Sequence, residues 1–291
     1  MKDISVLIPT YNDVCVALVR SLQHQAEQLG IRYEIVVADD GSTCQDSILQ
    51  NRAINILPHC RYMERTENVG RAAIRNFLAR QAQYDWLLFI DGDMVVRRSD
   101  YLQRYATSAA DDAIVYGGVT IGPLQPGNLR SMYEHQAAPE HTLERRRRSP
   151  YHDFHTANFL VRRNLMLSHP FDLRFRRYGY EDVLFGKQME QLSVPVTHID
   201  NPLSFERFEA NADFVSKTEE GLRTLCEFRT ELQGYARLLD IPAALYGPLR
   251  LWHRLFGRLE RSCLTGPRPH LWLFKLYKLG YFASHIPKIR R

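Results

Sequence analysis

The chain has 291 residues, 45% of them hydrophobic, 24% charged and 11% aromatic. That composition excludes a disordered or fibrous chain and leaves ample core for one large domain or two small ones. The net charge of +5 is uneven: from Pro248 to Arg291 ten Lys/Arg face a single acid, Glu260, so this tail is +9 and residues 1–247 carry the difference, −4. The basic character belongs to the tail, so the chain does not read as a nucleic-acid binder. Five scattered cysteines without a zinc or disulfide spacing point to a reducing compartment. No apolar run is long enough for a signal peptide or a bilayer span.

In chain order, "ISVLI" (4–8) is a short β-branched run. "VCVALVRSLQHQAEQLG" (14–30) has helical apolar spacing and stops on a glycine. "YEIVVADDGS" (33–42) predicts a second strand that ends on acids and a turn. "CRYMERTENVG" gives a weaker third strand, followed by a helix over 71–83, and "WLLFI" (86–90) is the fourth strand. Apolar runs alternating with helices indicate an α/β fold, a mostly parallel sheet with helices on both faces. Residues 138–155 read as a mobile, charged loop, with "ERRRRS" (144–149) as a solvated run. Strands are expected at 157–163 and 194–199, a helix at 181–192, and a long helix over 209–240.

Four of these strand ends carry polar chemistry: "PTYN", "DDGS", "TENVG" and "DGD". Ligands of parallel sheets bind at the carboxyl ends of strands, so four polar ends suggest one rim. Asp91 and Asp93, at i and i+2 of an extended chain, point to one side, with Gly92 letting the backbone turn. Two carboxylates this close repel unless a cation lies between them, and Mg²⁺ or Mn²⁺ takes such oxygen ligands together with substrate phosphates. The alternative is a simple turn or helix cap. Asp39 and Asp40 suit a ribose hydroxyl or a base N–H, or else a strand-ending turn. Asn68 and Gly70 form a turn before Arg71 and Arg75, a helix start suited to anions, although Arg75 also reads as a surface residue. Glu181 and Asp182 open a helix whose dipole favours the ionised form a general base needs. His155, Thr156 and Asn158 lie beside a strand without a decisive role. His198 reads as a core histidine or a metal ligand.

Taken together, "VLIPTYN", "VVADDGS", "ENVGRAAIRN", "LFIDGDM" and "YGYEDVLF" resemble the family 2 glycosyltransferases of GT-A fold over roughly residues 1–210. The resemblance implies an inverting transferase that uses a nucleotide-diphospho-sugar donor and Mn²⁺ or Mg²⁺. By position, Pro9, Thr10, Tyr11 and Asn12 would line the nucleotide pocket, Asp39 would meet the base, usually uracil, and Asp91 the ribose or sugar. Asp40, Asn68, Gly70, Arg71, Arg75, Gly92 and Asn158 are carried as further donor-site residues. Asp93 would hold the metal, with Asp91 and His198 as further ligands. Asp182 would be the base, and Glu181 would help hold the acceptor. "HTANFLVRRN" and "THIDNPLSFERFE" resemble a bacterial polysaccharide-type subgroup. That subgroup often has a histidine three residues after "NP", where this chain has Phe205.

The expected organisation is a nucleotide-sugar-binding half over 1–120, an acceptor-binding and catalytic half over 121–208, and a helical, basic, amphipathic region over 209–291. In the last region Trp252, Leu255, Phe256 and Leu259 share one helical face, with Arg250, Arg254, Arg258 and Arg261 mostly on another. This suits a peripheral contact through 248–291 with the inner face of the cell membrane, and a glycan or lipid-linked acceptor. The alternative packs these helices on the catalytic domain. Two rival functions are a HAD-like phosphatase with Asp91 as nucleophile, and a non-catalytic nucleotide-sugar-binding scaffold.

Overall fold

A computed structural model describes residues 1–108, 113–152 and 154–286. The first ninety residues alternate: β1 (Asp3–Thr10), α1 (Val16–Leu29), β2 (Arg32–Asp39), α2 (Gln45–Asn51), β3 (Cys60–Glu64), α3 (Arg71–Gln81) and β4 (Trp86–Ile90). There follow β5 (Met94–Val95), α4 (Tyr101–Ser108), β6 (Ile114–Tyr116), β7 (Val119–Ile121), α5 (Leu129–Ala137) and α6 (Leu143–Arg148). Then come β8 (Asn158–Arg162), α7 (Arg163–Ser168), α8 (Glu181–Gln191), β9 (Val196–His198) and β10 (Leu203–Phe205). Three helices end the chain: α9 (Asn211–Glu227), α10 (Tyr246–Thr265) and α11 (Leu271–His285).

Seven strands form one sheet in the order β3-β2-β1-β4-β8-β6-β9. β1, β2, β3 and β4 pair in parallel, as do β6 and β9, and β8 alone runs antiparallel to both its neighbours. The chain winds outward from β1 to β3 and then returns to β4 on the other side of β1. That reversal opens the crevice where open α/β sheets take ligands. Both faces are covered, so consecutive residues of one strand serve two cores. Leu7 and Phe89 pack with α3, α8, α9 and α11, whereas Ile8 and Ile90 pack with α1 and α4. A second sheet, β5-β10-β7, is small.

Two expectations are corrected. The helix foreseen over 209–240 ends at Glu227. There Phe228 stacks on Phe175 at 3.9 Å, Lys187 Nζ donates to the carbonyls of Glu231 and Gln233, and Gly234 takes a positive φ of 82°. These tertiary anchors hold a series of turns where the apolar spacing alone suggested helix. The 138–155 stretch is not a mobile loop in its described part: it contains a 3₁₀ turn (Ala138–Glu140) and α6. Within "ERRRRS", Arg145, Arg147 and Arg148 are exposed, but Arg146 is buried. Its guanidinium lies over the Tyr116 ring and donates to the carbonyls of His141 and Ile199.

The two C-terminal helices differ in how they are buried. α11 is core, with Phe274, Tyr277 and Phe282 buried in the cluster that contains Leu7 and Phe89. α10 packs on it and leaves Leu251, Leu255 and Leu259 about 60% exposed, beside Trp252 and Phe256. Of its arginines, Arg250 donates to the carbonyls of Ala283 in α11 and Ile286 just past its end, and Arg261 pairs with Glu219. Arg254 and Arg258 are exposed. Among the described residues no helix is long and apolar enough to cross a membrane. Residues 287–291, the end of the expected membrane-contact stretch, lie outside the described residues.

Candidate active site

The rim begins where β1 ends. Thr10 is buried, its Oγ1 donating to the Asp13 carbonyl, and Tyr11 is exposed. Asn12 sits in the left-handed region at φ 59°, a conformation Asn tolerates better than most residues. Its Oδ1 accepts from the N–H groups of Thr43 and Cys44, at 2.8 and 2.9 Å, and so ties the β1 and β2 loops together. At the end of β2, Asp39 accepts from Ser42 N–H at 2.7 Å and from the Tyr62 hydroxyl at 2.5 Å. Asp40 accepts from Val69 and Gly70 N–H, at 3.0 and 2.9 Å. Burial pushes the Asp40 carboxyl above its ordinary value against the pull of those donors. Asn68 is exposed, and Gly70 caps α3 at φ 89°, where a Cβ would meet the Arg176 carbonyl oxygen at 2.9 Å.

At β4 the "DGD" segment is a turn, not the extended chain expected, closed by Met94 N–H donating to the Asp91 carbonyl. Gly92 is needed for close packing rather than for an unusual φ: a Cβ there would meet Cys15 Sγ at 2.9 Å and Thr10 Oγ1 at 3.1 Å. The two acids differ sharply. Asp91 accepts from Arg71 Nη2 at 3.0 Å and, through its other oxygen, from Arg75 Nη2. Burial opposes its ionisation, but the two guanidiniums outweigh burial and hold its carboxyl below the ordinary value. Asp93 has no ion-pair partner among the described residues. Burial, then the negative charges of Asp91 and Asp13, push its carboxyl up to about 6.

Arg75 is therefore not a surface residue. It is 1% exposed, and a charge so buried persists only with a partner, here Asp91. Arg71 bridges two elements, donating to Asp91 through Nη2 and to Glu181 through Nε at 2.8 Å. Glu181, in the first turn of α8, is buried by this contact. Its neighbour Asp182 accepts from Val183 N–H at 2.8 Å and from His155 Nδ1 at 3.4 Å. Burial opposes ionisation of Asp182, but the His155 hydrogen bond and the charges of His155 and Arg71 hold it below the ordinary carboxyl value.

Two of the sequence-derived candidates have other partners. Asn158 is fully buried and uses its whole hydrogen-bonding capacity: Oδ1 accepts from the hydroxyls of Tyr101 and Tyr105, and Nδ2 donates to the carbonyls of Gly118 and Asn201. That leaves no group for a ligand, so the donor-site role expected for Asn158 is corrected to a structural one. His198 is buried, with Nδ1 against Arg146 Nη1 at 3.1 Å and Nε2 against the Pro150 carbonyl at 2.9 Å. A guanidinium only donates, so Nδ1 accepts and Nε2 carries the proton. Neither nitrogen offers a lone pair to a metal, and the ligand role expected for His198 gives way to that of a satisfied core histidine. Among the described residues no three His, Cys, Asp or Glu side chains gather to hold a metal by themselves.

The glycosyl transferase family 2 model matches residues 5–167, more than half of the chain. The chain belongs to glycosyl transferase family 2. No curated protein matches it. Among solved structures, this family 2 glycosyltransferase is similar to S. aureus TarS 1–349 in complex with UDP-GlcNAc, at 17% identity and a TM-score of 0.53, over 97% of this chain and 90% of that one. It is similar to the mannosyltransferase PcManGT from Pyrobaculum calidifontis in complex with GDP-Man and Mn²⁺, at 16% identity and 0.57, over 99% and 88%. A third is glucosyl-3-phosphoglycerate synthase from Mycobacterium tuberculosis with Mn²⁺, UDP and glucosyl-3-phosphoglycerate, at 16% identity and 0.51, over 78% and 79%. At these identities the likeness speaks for the GT-A fold.

Sequence reasoning missed one member of the transferase's rim, Asp13, and left another, His155, without a role. Asp13 carries part of the field on Asp93; burial raises its own carboxyl, and Arg207 lies 3.7 Å away. It directly follows "PTYN", and that adjacency was the available signal. His155 gains a role only because α8 brings Asp182 to it, across 27 residues of sequence.

Proposed function

We propose that this glycosyltransferase moves a sugar from a nucleotide-diphospho-sugar, most simply a UDP-sugar, to a hydroxyl of a glycan or lipid-linked acceptor, with inversion at C1. The observation that carries the reading is the asymmetry of the β4 acids. Asp91 is neutralised by two arginines, whereas Asp93 is pressed towards its protonated form with no counter-ion among the described residues. A divalent cation, Mn²⁺ or Mg²⁺, fits a carboxylate so placed, with phosphate and water oxygens completing its shell. When bound, such an ion neutralises negative charge on the departing diphosphate.

The residues of the chain do the rest. Asp182, ionised at neutral pH, takes the proton of the acceptor hydroxyl as that oxygen forms its bond to C1. His155 holds the Asp182 carboxylate, and the Arg71–Glu181 pair fixes the start of α8 relative to α3. Pro9, Thr10, Tyr11 and Asn12 line the nucleotide side. Asp39 meets the base through a lone pair that Ser42 and Tyr62 leave open, and the Asp91 rim meets the ribose or sugar. The chain divides into a donor half (1–120), an acceptor half (121–208) and a helical region (209–291). Through the apolar stripe of α10, flanked by Arg254 and Arg258, it rests on the anionic inner face of the cell membrane during surface-polysaccharide synthesis.

A donor screen with Mn²⁺ or Mg²⁺, reading nucleotide release without acceptor, tests the reading. Metal-dependent release from one donor is expected; none from any donor, with the fold protected by UDP and metal, would leave only a binding scaffold. The phosphatase alternative meets a physical obstacle in the two guanidiniums on Asp91, and a trapped phospho-aspartate there would restore it.

A further inference from the structure

A cavity of about 740 Å³ opens among α5, α6, the 3₁₀ turn Arg237–Asp240 and α11. Its size lies within the roughly 300–1,000 Å³ typical of ligand sites. Two histidines connect it to the candidate base: His141, in its lining, has its ring 5.6 Å from that of His155, whose Nδ1 lies 3.4 Å from Asp182. Cations from separate parts of the chain converge on it. Arg145 and Arg148 come from α6, Arg237 from the 3₁₀ turn and Lys275 from α11, against the acids Glu140 and Asp240. Arg237 is paired with Glu140 and Arg148 with Glu144. Arg145 and Lys275 have no ion-pair partner among the described residues. One wall is flat and aromatic, Tyr235 stacked on His152 at 4.3 Å.

We propose that this cavity is the acceptor subsite, and that the acceptor it takes is a glycan bearing oxyanion groups, phosphate or carboxylate. The inference rests on the transferase reading above and adds the chemical class of the acceptor. Like charges facing one concave surface repel one another and attract an anion, an arrangement that selects charged ligands. Arginine and lysine donors recognise phosphate and carboxylate oxygens through charge-assisted bonds, and the exposed His152 ring, stacked on Tyr235, offers a sugar ring its outer face. A merely solvated set of cations would not need to converge from α6, the 3₁₀ turn and α11 on one hollow linked to Asp182 by His141 and His155.

The test uses the full chain and an array of matched glycans that differ only in phosphate or carboxylate groups. A second arm presents a polyprenyl-diphosphate-linked sugar in neutral vesicles, separating a lipid-borne anion from a soluble one. The wild type should bind an anionic member of a pair at least about tenfold more tightly than its neutral twin, by soluble glycan, by lipid carrier or by both. The Arg145→Gln/Lys275→Gln variant should lose about tenfold of that preference, while its acceptor-independent nucleotide release stays within about twofold of wild type. Equal binding of charged and neutral twins in both arms, or an unchanged preference in the double variant, overturns the proposal. Anion preference in a wild type that releases no nucleotide from any donor would sustain the charge reading of the cavity and remove the transferase reading instead.

Discussion

The strand-end rim and the C-terminal helix pair answer the same physical demand in opposite ways. At the rim, charges are buried and nearly every one has found its complement: Asp91 has two arginines, Glu181 has Arg71, Asp39 has Tyr62 and Ser42. Asp93 is the exception. In the helix pair α11 buries Phe274, Tyr277 and Phe282 and exposes Trp272 near its start, whereas α10 leaves a leucine and aromatic stripe in water. A half-buried acid without a counter-ion and an exposed apolar stripe are both unfavourable in the isolated chain. On the reading proposed above, a cation relieves the first and a lipid surface the second.

The largest effect expected is at Asp93. Asp93→Ala should lower metal-dependent nucleotide release by about a thousandfold or more, read in the donor screen. The same change should stabilise the metal-free fold above pH 6. A carboxyl whose folded pKa is raised favours the folded state at low pH, and that contribution is lost as pH rises towards 6. Removing it should raise stability by about 1–2 kcal/mol, less than the roughly 3 kcal/mol of two pKa units because the side chain is only half-buried. Thermal unfolding at pH 5 and pH 8 would check the sign; a loss of stability at pH 8 would break the contrast between Asp91 and Asp93.

Next is Asp182→Asn, which should cost about 10²–10⁴ in transfer while donor binding, followed by calorimetry, changes little. Full transfer by that variant would overturn the base assignment. Arg75→Met should cost about 3–5 kcal/mol in urea unfolding, since it strands the Asp91 carboxylate in the interior with Arg71 as its remaining cation. The smallest effect is at α10. Leu255→Gln with Leu259→Gln should weaken binding to anionic vesicles about tenfold at low salt and leave unfolding within about 0.5 kcal/mol per site. Unchanged vesicle binding would mean that the stripe serves something other than lipid.

Much of this molecule was legible before folding. Continuous apolar runs ending in "PTYN", "DDGS" and "DGD" suffice for a parallel sheet with polar strand tips, because a strand buried on both faces needs apolar residues at every position. The apolar stripe of α10 was legible for a similar reason, since helical periodicity is a local property. Tertiary structure alone decided which acid has a cation beside it. Asp91 and Asp93 look alike in sequence, and it is the packing of α3 against β1 and β2 that brings Arg71 and Arg75 to one and not the other. It likewise decided that His198 and Asn158 are satisfied internally and that Arg146 is a strut, since hydrogen-bond partners 40 to 57 residues away leave no local trace. Periodicity sets which face of an element is apolar; which charges meet depends on contacts between elements, and those exist only once the chain has closed on itself.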